Sequence, residues 1–397
     1  MATTSLDRLR LRGDGHRRRR ASARSITAPA DALSQDVAVY RPFGALRFAL
    51  ALVVAFDHCR ILGGEALAAA VGPWVVGNLG VFSFFILSGF IIADALRSYY
   101  AGRTLAFLAN RLLRLIPPYV AAVLVSIAVH AWLSSVAMPR FIAYDAPPAG
   151  MYSARNLAIN AVLPFAWYGL GDVGLWPDYP FVRYAWAISV EFWFYGYIAV
   201  CYACYRFIAA KFTQGVLAWG LRRAAAVAGF VGVCVLYDAF WSTRWNWLYP
   251  FYYGPYFALG VALYYAVRRR SLLGAAGVAV FGTLVFRHYI PYSYSTHQAE
   301  VGAWLLLGMV PAAAVLDRLR LSAPWQHWDR RLGDLSYPLY LNHYAVSILF
   351  LSLCDERRPA VLVGCLVASI LVAIGLTQLV EPLTRSLRDR FRGAVLR

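Results

Sequence analysis

Apolar runs long enough to cross a bilayer recur along almost the whole chain, and this recurrence constrains the fold more than any other feature. They lie at about 43–62, 76–96, 115–136, 185–205, 224–241, 251–267, 272–289, 299–316, 335–353 and 360–380. A hydrocarbon core about 30 Å thick calls for roughly 20 apolar residues per helical span. The runs therefore predict an all-α polytopic membrane protein with about ten transmembrane helices. Composition agrees: of 397 residues 60% are hydrophobic and 15% charged, too apolar for a water-soluble domain.

The formal net charge of +18 invites a nucleic-acid reading, but most arginines fall between the apolar runs, where cytoplasmic loops need them. Arg97, Arg103, Arg111 and Arg114 fall on one side of the predicted bundle with Arg222, Arg223, Arg268, Arg269, Arg270, Arg318 and Arg320. The opposite loops hold scattered ones such as Arg140, Arg155, Arg183 and Arg244. Both termini are then cytoplasmic. No nucleic-acid partner is expected.

Residues 1–40 read as a disordered basic arm, with HRRRR at 16–20 suited to anionic lipid. No short apolar region with a cleavage site follows promptly, so the first helix is expected to act as an uncleaved anchor. A membrane domain is expected over 41–384 and a basic cytoplasmic tail over 385–397. The long segment 137–184 contains NLAINAVLPFAWYGL, too short to span comfortably and suited to a re-entrant or interfacial helix. Cys201 and Cys204 form a C-x-x-C inside an apolar run, without the second pair or His cluster of a zinc site. They read as packing residues, and no metal is expected.

Five segments put polar groups where membrane physics disfavours them. In PFGALRFALALVVAFDHCRIL, Arg47 and His58 are eleven residues apart. Eleven steps of about 100° bring a helix round to within roughly 20° of its start, about 16 Å along the axis. The two share one stripe, one near each end of the span. An arginine at a helix centre in lipid costs roughly 2.5–3.5 kcal/mol or more. Either they snorkel from the two ends or they face a polar interior. Asp57 adjoins His58 but points about 100° away, which disfavours it as a partner for the ring.

GVFSFFILSGFII at 80–92 carries Gly80, Ser83, Ser88 and Gly89, small residues suited first to close helix packing. NRLLRLIPPY at 110–119 puts Arg111 and Arg114 on one helix face, ahead of Pro117 and Pro118, which are expected to kink or restart the helix. The pair suits a phosphate-rich ligand or an ordinary cytoplasmic flank. WAISVEFWFY at 186–195 holds Glu191 in an apolar run. There a carboxylate must be paired, protonated or wet, as a bundle salt bridge or as a site group. GDLSYPLYLNHYAV at 333–346 adds Ser336 as a candidate helix cap, with Tyr337, Tyr340, Asn342 and His343.

Taken in order over roughly 40–385, these segments resemble the acyltransferase-3 family of bacterial integral-membrane O-acyltransferases, in a form without a fused esterase-like domain. Arg47 and His58 match its R-x10-H signature, and GVFSFFILSGFII its glycine–phenylalanine–serine block. Arg111 and Arg114 match its R-x-x-R pair, and Glu191 and Tyr195 its tryptophan–glutamate–phenylalanine–tyrosine block. SYPLYLNH matches its last block. Phe82 stands where Asp is common, and Ala187 where Ser or Thr is common.

The resemblance implies a multi-pass protein of the bacterial inner membrane. It would transfer an acyl group, most often acetyl, from acyl-CoA to a hydroxyl of an envelope glycan, a lipid-linked sugar or a glycosylated metabolite. A carbohydrate or lipid-linked glycan acceptor and membrane lipids are the expected partners. A neutral imidazole near the acceptor hydroxyl can take its proton, which makes His58 the candidate base. Arg47 and Glu191 are the other candidate catalytic residues, with Glu191 paired to one of the arginines. Arg111 and Arg114 are candidates for the coenzyme A phosphates. Asp57, Ser88, Tyr195, Ser336, Tyr337 and His343 are candidate substrate contacts. The rival reading is a transporter or polysaccharide-export component with Arg47, His58 and Glu191 lining its path. No internal repeat supports it.

Overall fold

The continuous apolar sequence folds as helix after helix, with no strand among the described residues. The computed structural model describes residues 40–136, 149–172, 176–212, 215–292 and 296–392. The arginine arm, Arg140 and the end of the basic tail lie outside the described residues. In chain order the helices are α1 (Gly44–Cys59), α2 (Glu65–Val71), α3 (Val76–Ser98), α4 (Thr104–Val136), α5 (Ala154–Asp172), α6 (Trp186–Lys211) and α7 (Val216–Thr243). They continue with α8 (Tyr249–Tyr252), α9 (Gly254–Arg269), α10 (Leu272–Tyr289), α11 (Thr296–Leu307), α12 (Met309–Arg318), α13 (Ala323–Leu353) and α14 (Pro359–Arg392).

Among the described residues, seven stretches are long and apolar enough to cross a membrane: α3, α4, α6, α7, α10, α11 with α12, and α14. The other three expected spans differ for visible reasons. Helices α1 and α9 have 16 residues each, about 24 Å at 1.5 Å per residue. Helix α13 has 31 residues, but Asp329, Arg330, Arg331 and Asp334 charge its first half, and Asn342, His343 and the tyrosines lower the hydropathy of the second. The run at 299–316 breaks at Gly308 into α11 and α12. The segment after 137 contains a helix, α5, that packs against α6.

Of the kink or restart expected at Pro117 and Pro118, the restart does not occur: α4 runs on as one helix through both. Each proline removes one amide donor from the ladder. Neighbours brace this part of the helix: α13 and α14 pack along α4, and the Tyr337 hydroxyl donates to Leu115 O at 3.0 Å.

The pair α1 and α13 organises the bundle. They run parallel, because Gly44 meets Asp329 and Gly333 at one end and His58 meets His343 at the other. A Cβ on Gly44 would lie 1.8 Å from Asp329 O, so only glycine allows this approach. At the same crossing the Asp329 carboxylate accepts from Gly44 N at 2.9 Å and Ala45 N at 2.7 Å. It satisfies two of the amides that the start of any helix leaves orphaned. Arg41, just before α1, hydrogen-bonds Asp94 of α3 at 3.3 Å and forms an ion pair with Asp317 of α12 at 3.0 Å. Arg268 of α9 reaches the same Asp317 at 3.1 Å.

Helix α3 crosses α9 as closely. A Cβ on Gly89 would lie 2.2 Å from Phe257 O, and one on Gly260 1.9 Å from Ile86 O. Gly80 packs on Val54 of α1. These two glycines of the 80–92 segment are therefore packing residues. Phe82 fills an aromatic cluster with Tyr256 at 4.6 Å and Tyr253 at 5.7 Å between centroids.

Candidate active site

Arg47 sits one turn inside the capped start of α1, where the glycine crossing leaves room for a long side chain. A Cβ on Gly333 would lie 3.9 Å from its Nη1. There Arg47 lines a cavity of about 90 Å³. Helix α4 contributes Arg111 and Arg114, α3 contributes Ser88, α6 contributes Glu191 and Tyr195, and α13 contributes Ser336, Tyr337 and Tyr340. Eight of the eleven candidate residues thus meet in one cavity.

Three guanidiniums face this space against a single carboxylate. Glu191 Oε1 accepts from Ser88 Oγ at 2.6 Å, and its carboxylate also meets Tyr195 and acts on Arg47 and Arg111 through its charge. Arg111 lies over the Phe107 and Tyr195 rings at 5.2 and 5.5 Å. These aromatic faces support a guanidinium without consuming its N–H donors. The cavity is therefore cationic, with donors left for an anionic ligand. Ser336 does not cap a helix. It lies inside α13 and donates to Gly333 O at 2.7 Å. Ala187 lines the wall, so a Ser or Thr there would have added a hydroxyl.

His58, His343 and Asp57 lie outside that cavity. The two histidines form a second centre eleven residues further along α1. His58 Nδ1 is 2.9 Å from His343 Nε2. His343 Nδ1 is 3.3 Å from Leu339 O. A carbonyl only accepts, so His343 carries its proton on Nδ1 and offers the Nε2 lone pair. His58 Nδ1–H then donates to it, which leaves the lone pair of His58 on Nε2. This tautomer follows from the hydrogen-bond network. Asp57 takes no part. Arg60 Nη1 binds its Oδ1 at 3.0 Å, and its other oxygen lies against Gly77.

Tyr184, absent from the candidate set, stacks on His58 at 3.6 Å between centroids and 7° between planes. A strap ahead of α6 holds it. Asn156 and Asn160 of α5 both donate to Tyr179 O, at 3.0 and 2.9 Å. Phe181 N donates to Asn160 Oδ1 at 2.9 Å. Tyr340 then joins the two centres. It lines the arginine cavity, and its hydroxyl donates to Tyr184 O at 2.7 Å. The signal for Tyr340 was its position three residues before His343. Tyr184 lies outside regular structure and carried no signal. Among the described residues, no group of three or more His, Cys, Asp and Glu side chains is arranged to hold a metal ion.

The family model described as an acyltransferase domain, Acyl_transf_3, matches residues 43–378, from the start of α1 into α14. No curated protein and no solved structure matched the chain. A model match over most of the chain, on a bundle of apolar helices that gathers the ordered motifs, makes this a multi-pass membrane protein of the acyltransferase-3 family.

Proposed function

We propose that the protein transfers an acyl group, acetyl in the first instance, from acyl-CoA to a hydroxyl of an envelope glycan, a lipid-linked sugar or a glycosylated metabolite. One observation carries this reading: α1 links a cationic cavity at Arg47 to a histidine pair at His58, and the pair leaves the Nε2 lone pair of His58 available.

Arg111 and Arg114 bind the coenzyme A phosphates, and Arg47 orients the donor beside them. The pantetheine arm runs along the Tyr340 side of the cavity toward His58. There the acceptor hydroxyl loses its proton to His58 Nε2 as its oxygen attacks the thioester carbonyl. The C–S bond breaks, and the imidazolium returns the proton to the thiolate. The products are the O-acyl ester and coenzyme A. His343 holds the ring of His58 in the reactive tautomer, and Tyr184 stacks on it. Ser88 positions Glu191 among the arginines. Ser336, Tyr337 and Tyr195 complete the donor walls.

With α1, α9 and α13 counted as spans, the bundle has ten crossings. Both termini then lie on the cytoplasmic side of a bacterial inner membrane, the side of Arg111 and Arg114. The charge distribution supports this orientation. Membranes containing the protein should consume acetyl-CoA and acylate glycan acceptors, and His58→Ala membranes should not. Failure to consume any acyl-CoA, or equal consumption by the variant, would refute the reading. Labelled acyl-protein trapped without acceptor would indicate an acyl-histidine relay in place of direct transfer.

A further inference from the structure

A second and larger cavity, of about 440 Å³, lies among α3, α6, α7, α9 and α10 and shares no lining residue with the arginine cavity. Its two ends differ. At one end are Arg97 near the close of α3, Arg222 and Arg223 in the second turn of α7, and Arg269 at the close of α9. Further in, the walls are Phe194, Ile198, Phe230, Val233, Phe257 and Val261. Among the described residues that line the cavity, none is Asp or Glu. From Arg222 to Val233 is eleven residues along α7, about 16 Å of depth.

Aromatic faces hold two of the mouth arginines. Arg223 lies 3.8 Å above the Trp219 ring, and Arg97 lies 5.8 Å from the Tyr265 centroid. Arg97 Nε is buried with no hydrogen-bond partner. The mouth thus gathers four arginines above a channel that only hydrocarbon can fill favourably.

We infer that this cavity binds an anionic membrane phospholipid, with its phosphate at Arg97, Arg222, Arg223 and Arg269 and one acyl chain along the Phe230, Val233 and Phe257 walls. Basic pockets between membrane helices recognise such headgroups, and here the walls also match the chain. The lipid bridges α7, which packs on α6, α8 and α9, to α3. This site is independent of the donor cavity and its function.

The test uses the full-length protein in detergent, with phosphatidylglycerol and phosphatidylcholine as probes and native mass spectrometry as readout. The wild type should retain phosphatidylglycerol and not phosphatidylcholine. An Arg97→Gln, Arg223→Gln double variant should bind it at least tenfold more weakly. Ala226→Phe, which narrows the channel from α7 and leaves all four arginines in place, should also lose the lipid. Arg97→Lys with Arg223→Lys should recover part of the binding, which separates charge from misfolding. Equal retention of both lipids, or unchanged retention in the double variant and in Ala226→Phe, would overturn the inference. Displacement of the lipid by coenzyme A from an Arg111→Ala, Arg114→Ala protein would also overturn it, because the cavity would then be a donor site.

Discussion

His58 Nδ1 lies 2.9 Å from His343 Nε2, and the next bond in the chain, His343 Nδ1 to Leu339 O, decides which nitrogen of His58 keeps its lone pair. The main-chain carbonyl of α13 thereby sets the chemistry of a side chain on α1. His343→Leu should lower kcat about 10–100-fold with little change in donor KM, as loss of an orienting partner does. His343→Gln keeps an acceptor for Nδ1–H and should retain more activity than His343→Leu. Steady-state kinetics on the two variants checks this, and equal losses would contradict the tautomer argument.

Arg111 and Arg114 should act on donor binding. Hydrogen bonds to a charged ligand contribute about 1.5–3 kcal/mol each. Arg111→Ala should therefore raise the acyl-CoA KM roughly tenfold or more and leave kcat within about twofold. An unchanged donor KM would remove the arginine cavity from donor binding.

Asp317 is a purely structural prediction. It is 1% exposed and meets both Arg41 and Arg268. Asp317→Ala leaves two guanidiniums without that partner and should cost about 3–5 kcal/mol. Thermal unfolding in detergent measures this, with a large fall in Tm expected. A change within error would show that the arginines find other partners.

Asp329 caps α1 from a different helix. Asp329→Ala exposes the first amides of α1 and should cost about 0.5–2 kcal/mol, and Asp329→Asn should cost less because it still accepts. Gly44→Leu meets the α13 main chain and should prevent folding, seen as loss of the monodisperse peak in size-exclusion chromatography.

Much of the candidate site was legible because membrane physics makes polar residues conspicuous. Arg47, Arg111, Arg114 and Glu191 stand out in apolar sequence, and they converge because lipid offers them no other partner. The eleven-residue spacing fixed a shared stripe but not its neighbours. The pairing of His58 with His343 depends on the parallel crossing of α1 and α13, which spacing within one helix does not report. Tyr184 was invisible because the strap that aims it depends on side-chain bonds from Asn156 and Asn160. Pro117 and Pro118 do not restart α4; local rules weigh the lost donors and not the α13 and α14 packing along α4. Ser336 misled because α13 begins thirteen residues before it.

The central claim is that His58 Nε2 removes the acceptor proton, and single-turnover transfer tests it most directly. Wild-type and His58→Ala proteins are loaded with labelled acetyl-CoA and mixed with the glycan-bearing envelope fraction, and label in the glycan is followed. The account predicts donor binding within about twofold of wild type in the variant and transfer slowed about 10²–10⁴-fold. Transfer at the wild-type rate by a His58→Ala protein that binds the donor normally would contradict it.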